Sequence, residues 1–136
     1  MPSMPIPVYE GLFERDESGA PYLLGGRCGS CGRDHFPGQD VCPYCGAGDA
    51  ERVRLPDTGR LWGWTAVLTS PPGYQGEVPF GFGVVELDGD GLRVITRLEE
   101  PDPDRLAFDQ PMKLALTQLH VDEHGYPVET YTFVAR

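Results

Sequence analysis

The sequence predicts a mainly β protein with a short N-terminal helix, a metal-stapled ribbon and a five-stranded barrel. Two observations carry this expectation. Every cysteine falls in one of two Cys-x-x-Cys-Gly pairs, Cys28/Cys31/Gly32 and Cys42/Cys45/Gly46. Beyond residue 54 the chain breaks into five apolar or alternating runs separated by turns rich in glycine, proline and aspartate. The boundaries that follow are 1–21 for the helical segment, 22–54 for the ribbon and 55–136 for the barrel.

Taken in order, Tyr9, Leu12 and Phe13 recur at helical spacing between Pro7 and Arg15, and Glu17 to Pro21 ends the pattern. A helix this short is marginal alone, so its apolar stripe must pack on the chain's own core or on a partner subunit. Tyr22 to Leu24 leads into the first cysteine pair, and His35 to Pro37 reads as a strand between the two pairs. Each pair forms a tight knuckle, because the glycine accepts a backbone conformation that other residues resist. Four sulfurs converging on one point suit a tetrahedral cation with no open position for substrate, hence a structural Zn²⁺ held by Cys28, Cys31, Cys42 and Cys45. Iron in a rubredoxin-like site is the nearest rival, and two disulfides the other. Met1 to Pro7 lacks the apolar stretch of a secretion signal, so a reducing cytoplasm is expected and disulfides are disfavoured. His35 is expected beside the metal or on the surface rather than on the metal. Phe36 and Tyr44 are expected to shield the sulfurs.

The first barrel strand spans Gly59 to Thr69, with Gly63 marking a bend or bulge. The second, Phe80 to Leu87, puts Phe80, Phe82 and Val84 on one face; Gly81 and Gly83, on the other, leave room for a close approach to the backbone. Asp88 to Gly91 makes a hairpin turn into Leu92 to Leu98, where Leu92, Val94, Thr96 and Leu98 oppose Arg93, Ile95 and Arg97. An acidic, proline-containing link, with a helical turn expected at Arg105 to Phe108, leads to strands at Met112 to Leu119 and Pro127 to Val134. Five strands, one curved at a glycine, with an irregular link between the third and fourth, suit a barrel of the oligonucleotide/oligosaccharide-binding (OB) type.

The 136 residues carry a net charge of −10, and 11 basic residues face 21 acidic ones. This opposes binding to nucleic acid, since phosphate repulsion dominates at a distance. No apolar run reaches membrane-spanning length. Catalytic equipment is sparse. A cation would occupy all four thiols, and none of Ser3, Ser18, Ser30 and Ser70 lies in Gly-x-Ser-x-Gly. No phosphate-binding or dinucleotide fingerprint is present. His120 and His124 straddle a turn containing Asp122 and Glu123, which reads as an acid/base pair or, more simply, as a solvated turn. No catalytic residue is assigned.

Beyond these elements, the motifs Cys28/Cys31/Gly32 with His35 to Pro37, Cys42/Pro43/Cys45/Gly46, Gly59 to Thr65, Pro79/Phe80 and Val84 to Asp88 occur in one order. That order resembles a family of zinc-ribbon plus OB-fold accessory subunits of acyl-CoA enzymes, thiolase-like proteins and aldolases. The Glu17 to Pro21 insertion departs from its pattern. The resemblance implies a partner that carries the catalytic residues and shares a CoA thioester with this chain, for example an aromatic one such as benzoylsuccinyl-CoA. On that reading Tyr74 stacks on the CoA, and Arg93 and Arg97 meet its phosphates. The plainer alternative makes both arginines solvated charges paired with glutamates. A single-stranded nucleic-acid-binding OB module is the alternative function. Purified protein is expected to be colourless with one equivalent of zinc by metal analysis, whereas a red protein would mean iron.

Overall fold

The computed structural model describes residues 5–136. Among them the chain forms ten strands and a single 3-10 turn, Pro103–Arg105. The first five are β1 (Ile6–Pro7), β2 (Phe13–Arg15), β3 (Pro21–Arg27), β4 (Asp34–His35) and β5 (Glu51–Arg54). The remaining five are β6 (Thr58–Val67), β7 (Phe80–Leu87), β8 (Arg93–Leu98), β9 (Pro111–Val121) and β10 (Pro127–Ala135). No described helix is long and apolar enough to cross a membrane.

The expected N-terminal helix does not form. Gly11 sits at φ +88°, in the middle of the segment, and breaks any helical run. Phe13 instead pairs with Leu23 across an antiparallel β2–β3 hairpin, which buries it, while Tyr9 stays 70% exposed. The segment therefore packs on the chain's own core, with Leu12 and Phe13 supplying the apolar contact. Strand β3 is the spine of the ribbon. It pairs with β2 at one end and with β4 and β5 at the other. The helical turn expected at Arg105 to Phe108 lies slightly earlier in the chain, because Pro103 pre-sets the turn and Asp102 caps it through the Asp104 N–H at 3.0 Å.

Strands β6 to β10 close into the five-stranded OB barrel. The order runs β6, β7, β8, β10, β9 and back to β6. Only the β8–β10 pairing is parallel within that ring, with Thr132 opposite Arg97, and this is the crossover that lets the last strand complete the circle. Alternation delivers one face of each strand to the interior, where Leu61, Val85, Leu87, Val94, Leu98, Met112, Leu114 and Phe133 are buried. Each such side chain contributes about 1.5–3 kcal/mol of burial free energy. Gly83 is needed for the curvature: a Cβ there would sit 2.3 Å from the Gly63 carbonyl oxygen. The close approach expected at Gly81 and Gly83 is thus made by the barrel's own backbone. The register shifts between Leu61 and Gly63, so the bulge expected at Gly63 leaves Trp62 as the extra, outward residue.

Ribbon and barrel are held together on the β10 side. Strand β1 adds to β10 in parallel. Phe36 meets Tyr131 edge-to-face, with ring centroids 5.5 Å apart. Arg15 of β2 grips Glu129 of β10 through two parallel hydrogen bonds of 2.8 Å. These bonds raise the pKa of Arg15 further above its ordinary value. The Glu129 carboxylate is nearly buried while Arg15 is about half exposed, so removing the arginine leaves an acceptor pair out of water without partners. Arg15→Ala is therefore expected to cost about 1–2 kcal/mol, toward the lower end for a charged buried partner because solvent reaches the site. The measurement is the urea midpoint, with the slope of the transition unchanged.

Candidate functional site

The two knuckles fold as their spacing requires. In the first, the Gly32 N–H donates to the Cys28 carbonyl at 3.0 Å and the Cys28 N–H to the Arg33 carbonyl at 3.1 Å; Gly32 takes φ +75°. The second repeats this with Gly46 to Cys42 at 3.0 Å, Cys42 to Ala47 at 2.9 Å and Gly46 at φ +80°. Backbone N–H groups also point at sulfur: Ser30 and Cys31 donate to Cys28 Sγ at 3.3 Å each, and Tyr44 to Cys42 Sγ at 3.4 Å. Such donors stabilise thiolates.

All four Sγ atoms lie within 4.8 Å of one another, with Cys28–Cys45 at 3.5 Å and Cys31–Cys42 at 3.6 Å. A tetrahedron of sulfurs about 2.3 Å from a central Zn²⁺ has edges of roughly 3.8 Å. The donor set fits. No disulfide joins the cysteines; Cys28 and Cys42 are buried, and Cys31 and Cys45 lie at the surface. Left to share protons among themselves, the thiols titrate unevenly. Burial raises Cys42, but the N–H groups of Cys45 and Tyr44 and the neighbouring thiols bring it down to about 7. Cys45 is lowered by the Ala47 N–H, yet its hydrogen bonds with Cys28, Cys42 and Cys31 push it up to about 11. One Asp49 carboxylate oxygen lies 3.8 Å from Cys28 Sγ, and the other accepts from the Ser30 hydroxyl at 2.9 Å.

The aromatic shield expected around the sulfurs is not built as expected. Phe36 turns to Tyr131, and Tyr44 is 51% exposed beneath the Arg33 guanidinium, 5.2 Å from its ring centroid. His35 is neither a ligand of the cluster nor on the surface. It is buried, its Nε2 accepts from the Gln39 N–H at 3.1 Å, and its ring crosses Gly26 where a Cβ would come within 2.2 Å.

A second feature lies beside the loop joining β6 to β7. A groove of about 550 Å³ is lined by residues of that loop, by Arg97 and Glu99, and by Thr117, Gln118 and His120 of β9. Arg97 donates to the Tyr74 hydroxyl at 3.1 Å and lies 4.5 Å above the Phe80 ring, and Tyr74 packs on the same ring at 5.1 Å. Tyr74 in turn donates to the Glu77 carbonyl at 2.8 Å. Arg93 is elsewhere: four residues along β8 is about 13 Å, and there it pairs with Glu86 at 3.1 Å and stacks 4.2 Å over Trp62. The structure separates the two histidines as well. His120 lines the groove with a buried, unpartnered Nδ1, whereas His124 sits on the exposed turn, 3.6 Å from Glu123. Glu99, Thr117 and Gln118 were not singled out from sequence, since polar residues at a strand end carry no motif.

Residues 19–51 match the family described as "ChsH2, rubredoxin-like zinc ribbon domain", and residues 52–117 match "ChsH2, C-terminal OB-fold domain". The chain belongs to the ChsH2 family. It is 31% identical over 123 residues to a benzoylsuccinyl-CoA thiolase subunit, BbsA, of Thauera aromatica, covering 90% of this chain and 83% of that protein. It is 27% identical over 112 residues to a DUF35 domain-containing scaffold protein of Pyrococcus furiosus, covering 82% and 81%. A solved structure titled "Ltp2-ChsH2(DUF35) aldolase" superposes with a TM-score of 0.64 at 25% identity, covering 84% of each chain. Proteins similar to this chain are thus named as a thiolase subunit and as part of an aldolase, and the zinc ribbon and OB fold expected from the sequence are those of the matched family.

If the cluster is the ribbon's clamp, Cys42→Ser should abolish zinc binding. It should also open residues 19–51 to limited proteolysis while the barrel fragment persists. Metal binding of this kind supplies about 10 kcal/mol or more of folding free energy, which the ribbon's few buried apolar residues cannot replace.

Proposed function

We propose that this chain is the zinc-binding accessory subunit of a thiolase-type or aldolase-type acyl-CoA enzyme. Cys28, Cys31, Cys42 and Cys45 hold a structural Zn²⁺, and the partner carries the residues that make or break the carbon–carbon bond. One observation carries this reading: all four cysteines are gathered in one closed cluster, in a chain that is kin to a named thiolase subunit along nearly its whole length. A four-thiolate zinc site has no open coordination position. The thiol nucleophile of a thiolase-type reaction must then come from another subunit.

The groove beside Tyr74 and Arg97 is the proposed contribution to CoA-thioester binding. Its walls combine a guanidinium for phosphate with aromatic surface for the adenine or pantetheine. Arg93, about 13 Å along the same strand, joins only if the ligand extends that far. An acidic chain is a poor host for CoA unaided, so basic residues of the partner complete the site. Aromatic acyl-CoA thioesters such as benzoylsuccinyl-CoA are the first substrates to test, given the name of the Thauera relative.

The test is steady-state cleavage of a CoA thioester by the reconstituted pair. The chain alone should show no turnover, and the pair should. Arg97→Ala should raise KM by about tenfold, as loss of one charge-assisted hydrogen bond does, with a smaller effect from Arg93→Ala. An unchanged KM in the double variant would remove the CoA assignment. Turnover by the isolated chain would remove the accessory role.

A further inference from the structure

The outer face of β6, β7 and β8 carries three rows of side chains. Register places Arg60, Glu86 and Arg93 side by side in the first row. Val84 and Ile95 are opposite one another in the second, and the bulge brings Trp62 outward beside them. Thr65, Phe82 and Arg97 make the third. Trp62, Phe82 and Ile95 are 45%, 40% and 62% exposed. At those exposures they present apolar surface on the order of 300 Å², a size that often marks a contact site. Arg60 and Arg93 against Glu86 leave the first row cationic in a chain whose net charge is −10, while Arg97 of the third row lines the groove.

Resting on the accessory-subunit reading, we propose that this face is where the catalytic subunit docks, through an apolar surface rimmed by carboxylates. Charge selects that occupant over a second copy. A two-fold contact of this face with itself would bring its arginines against their own copies. A partner with carboxylates at the rim supplies the missing charge, since Glu86 answers only one of Arg60 and Arg93. Overall charge selects protein over single-stranded nucleic acid: Trp62 and Phe82 could stack on bases, but a chain of net charge −10 repels the phosphate backbone. Trp62, with the Arg93 guanidinium 4.2 Å above its ring, is the preorganised anchor, as aromatic and arginine residues are at the centres of interfaces.

The test uses the full-length chain and a separately purified thiolase-type or aldolase-type catalytic subunit, with Kd measured by calorimetry. Ile95→Glu and the Trp62→Ala/Phe82→Ala double variant should each weaken the complex by about 30-fold or more. Ile95 is mostly exposed, so Ile95→Glu should keep the wild-type zinc content and thermal midpoint; Trp62 and Phe82 are about half exposed, so the double variant should keep its zinc and fold with a modestly lower midpoint. A complex that tolerates both variants overturns the docking face and leaves the accessory-subunit reading intact. Failure of the wild-type chain to bind either class of catalytic subunit overturns both. A homodimer abolished by Ile95→Glu, or single-stranded DNA binding abolished by Trp62→Ala/Phe82→Ala, would reassign the face to a second copy or to nucleic acid.

Discussion

Four sulfurs brought within 4.8 Å of one another are the constraint on which the N-terminal third depends. The ribbon's short strands bury little beyond Phe13, Leu23 and Leu55, and those side chains already belong to the core shared with the barrel. Without a cross-link its two knuckles would be loops tethered to one side of a larger domain. A cation joining residues 28 and 31 to residues 42 and 45 closes those loops and fixes β3, β4 and β5 as a unit. The β3 spine then presents Arg15, through its hairpin partner β2, to Glu129 of the barrel. Metal chemistry at one end of the ribbon and an ion pair at the other thus set the relation between the two modules.

The barrel depends on a different kind of constraint. Its interior is filled mainly by aliphatic side chains, with Met112, Thr96 and one phenylalanine, and its closure rests on backbone geometry: the bulge at Trp62, the bare backbone at Gly83 and the parallel entry of β10 beside β8. Closure gives each strand of the ring a neighbour on both sides over part of its length, which limits edge-to-edge association. Contacts are then left to outward faces and to the groove beside the β6–β7 loop.

Much of this was legible in the sequence, and for physical reasons. The cysteine pairs were legible because the chemistry demands both residue type and spacing. The five barrel strands were legible because alternation at Val94, Thr96 and Leu98 against Arg93, Ile95 and Arg97 leaves little choice of face. The segment around Tyr9 was misread because three apolar residues fit helical spacing as well as they fit a turn entering a strand; Gly11 and the long-range pairing of Phe13 with Leu23 decided it. The orientation of Phe36 and the burial of His35 were not legible. Each is settled by a neighbour distant in sequence, Tyr131 in one case and the bare Gly26 backbone in the other. The pairing of Tyr74 with Arg97, and the separation of Arg97 from Arg93, likewise needed the loop's path over β7.

The order of the strands along the chain has a consequence for synthesis. The ribbon is complete once residue 54 has emerged, and its metal can bind while the rest of the chain is still being made. The barrel must wait for β10, which pairs with β8, β9 and the distant β1. Until then β8 and β9 each lack a neighbour, and the interior faces of β6 to β8 remain open to water. A vectorially made chain of this design therefore passes through a state with a finished metal module and an unfinished barrel. In that interval its unpaired strand edges are exposed to aggregation or chaperone capture.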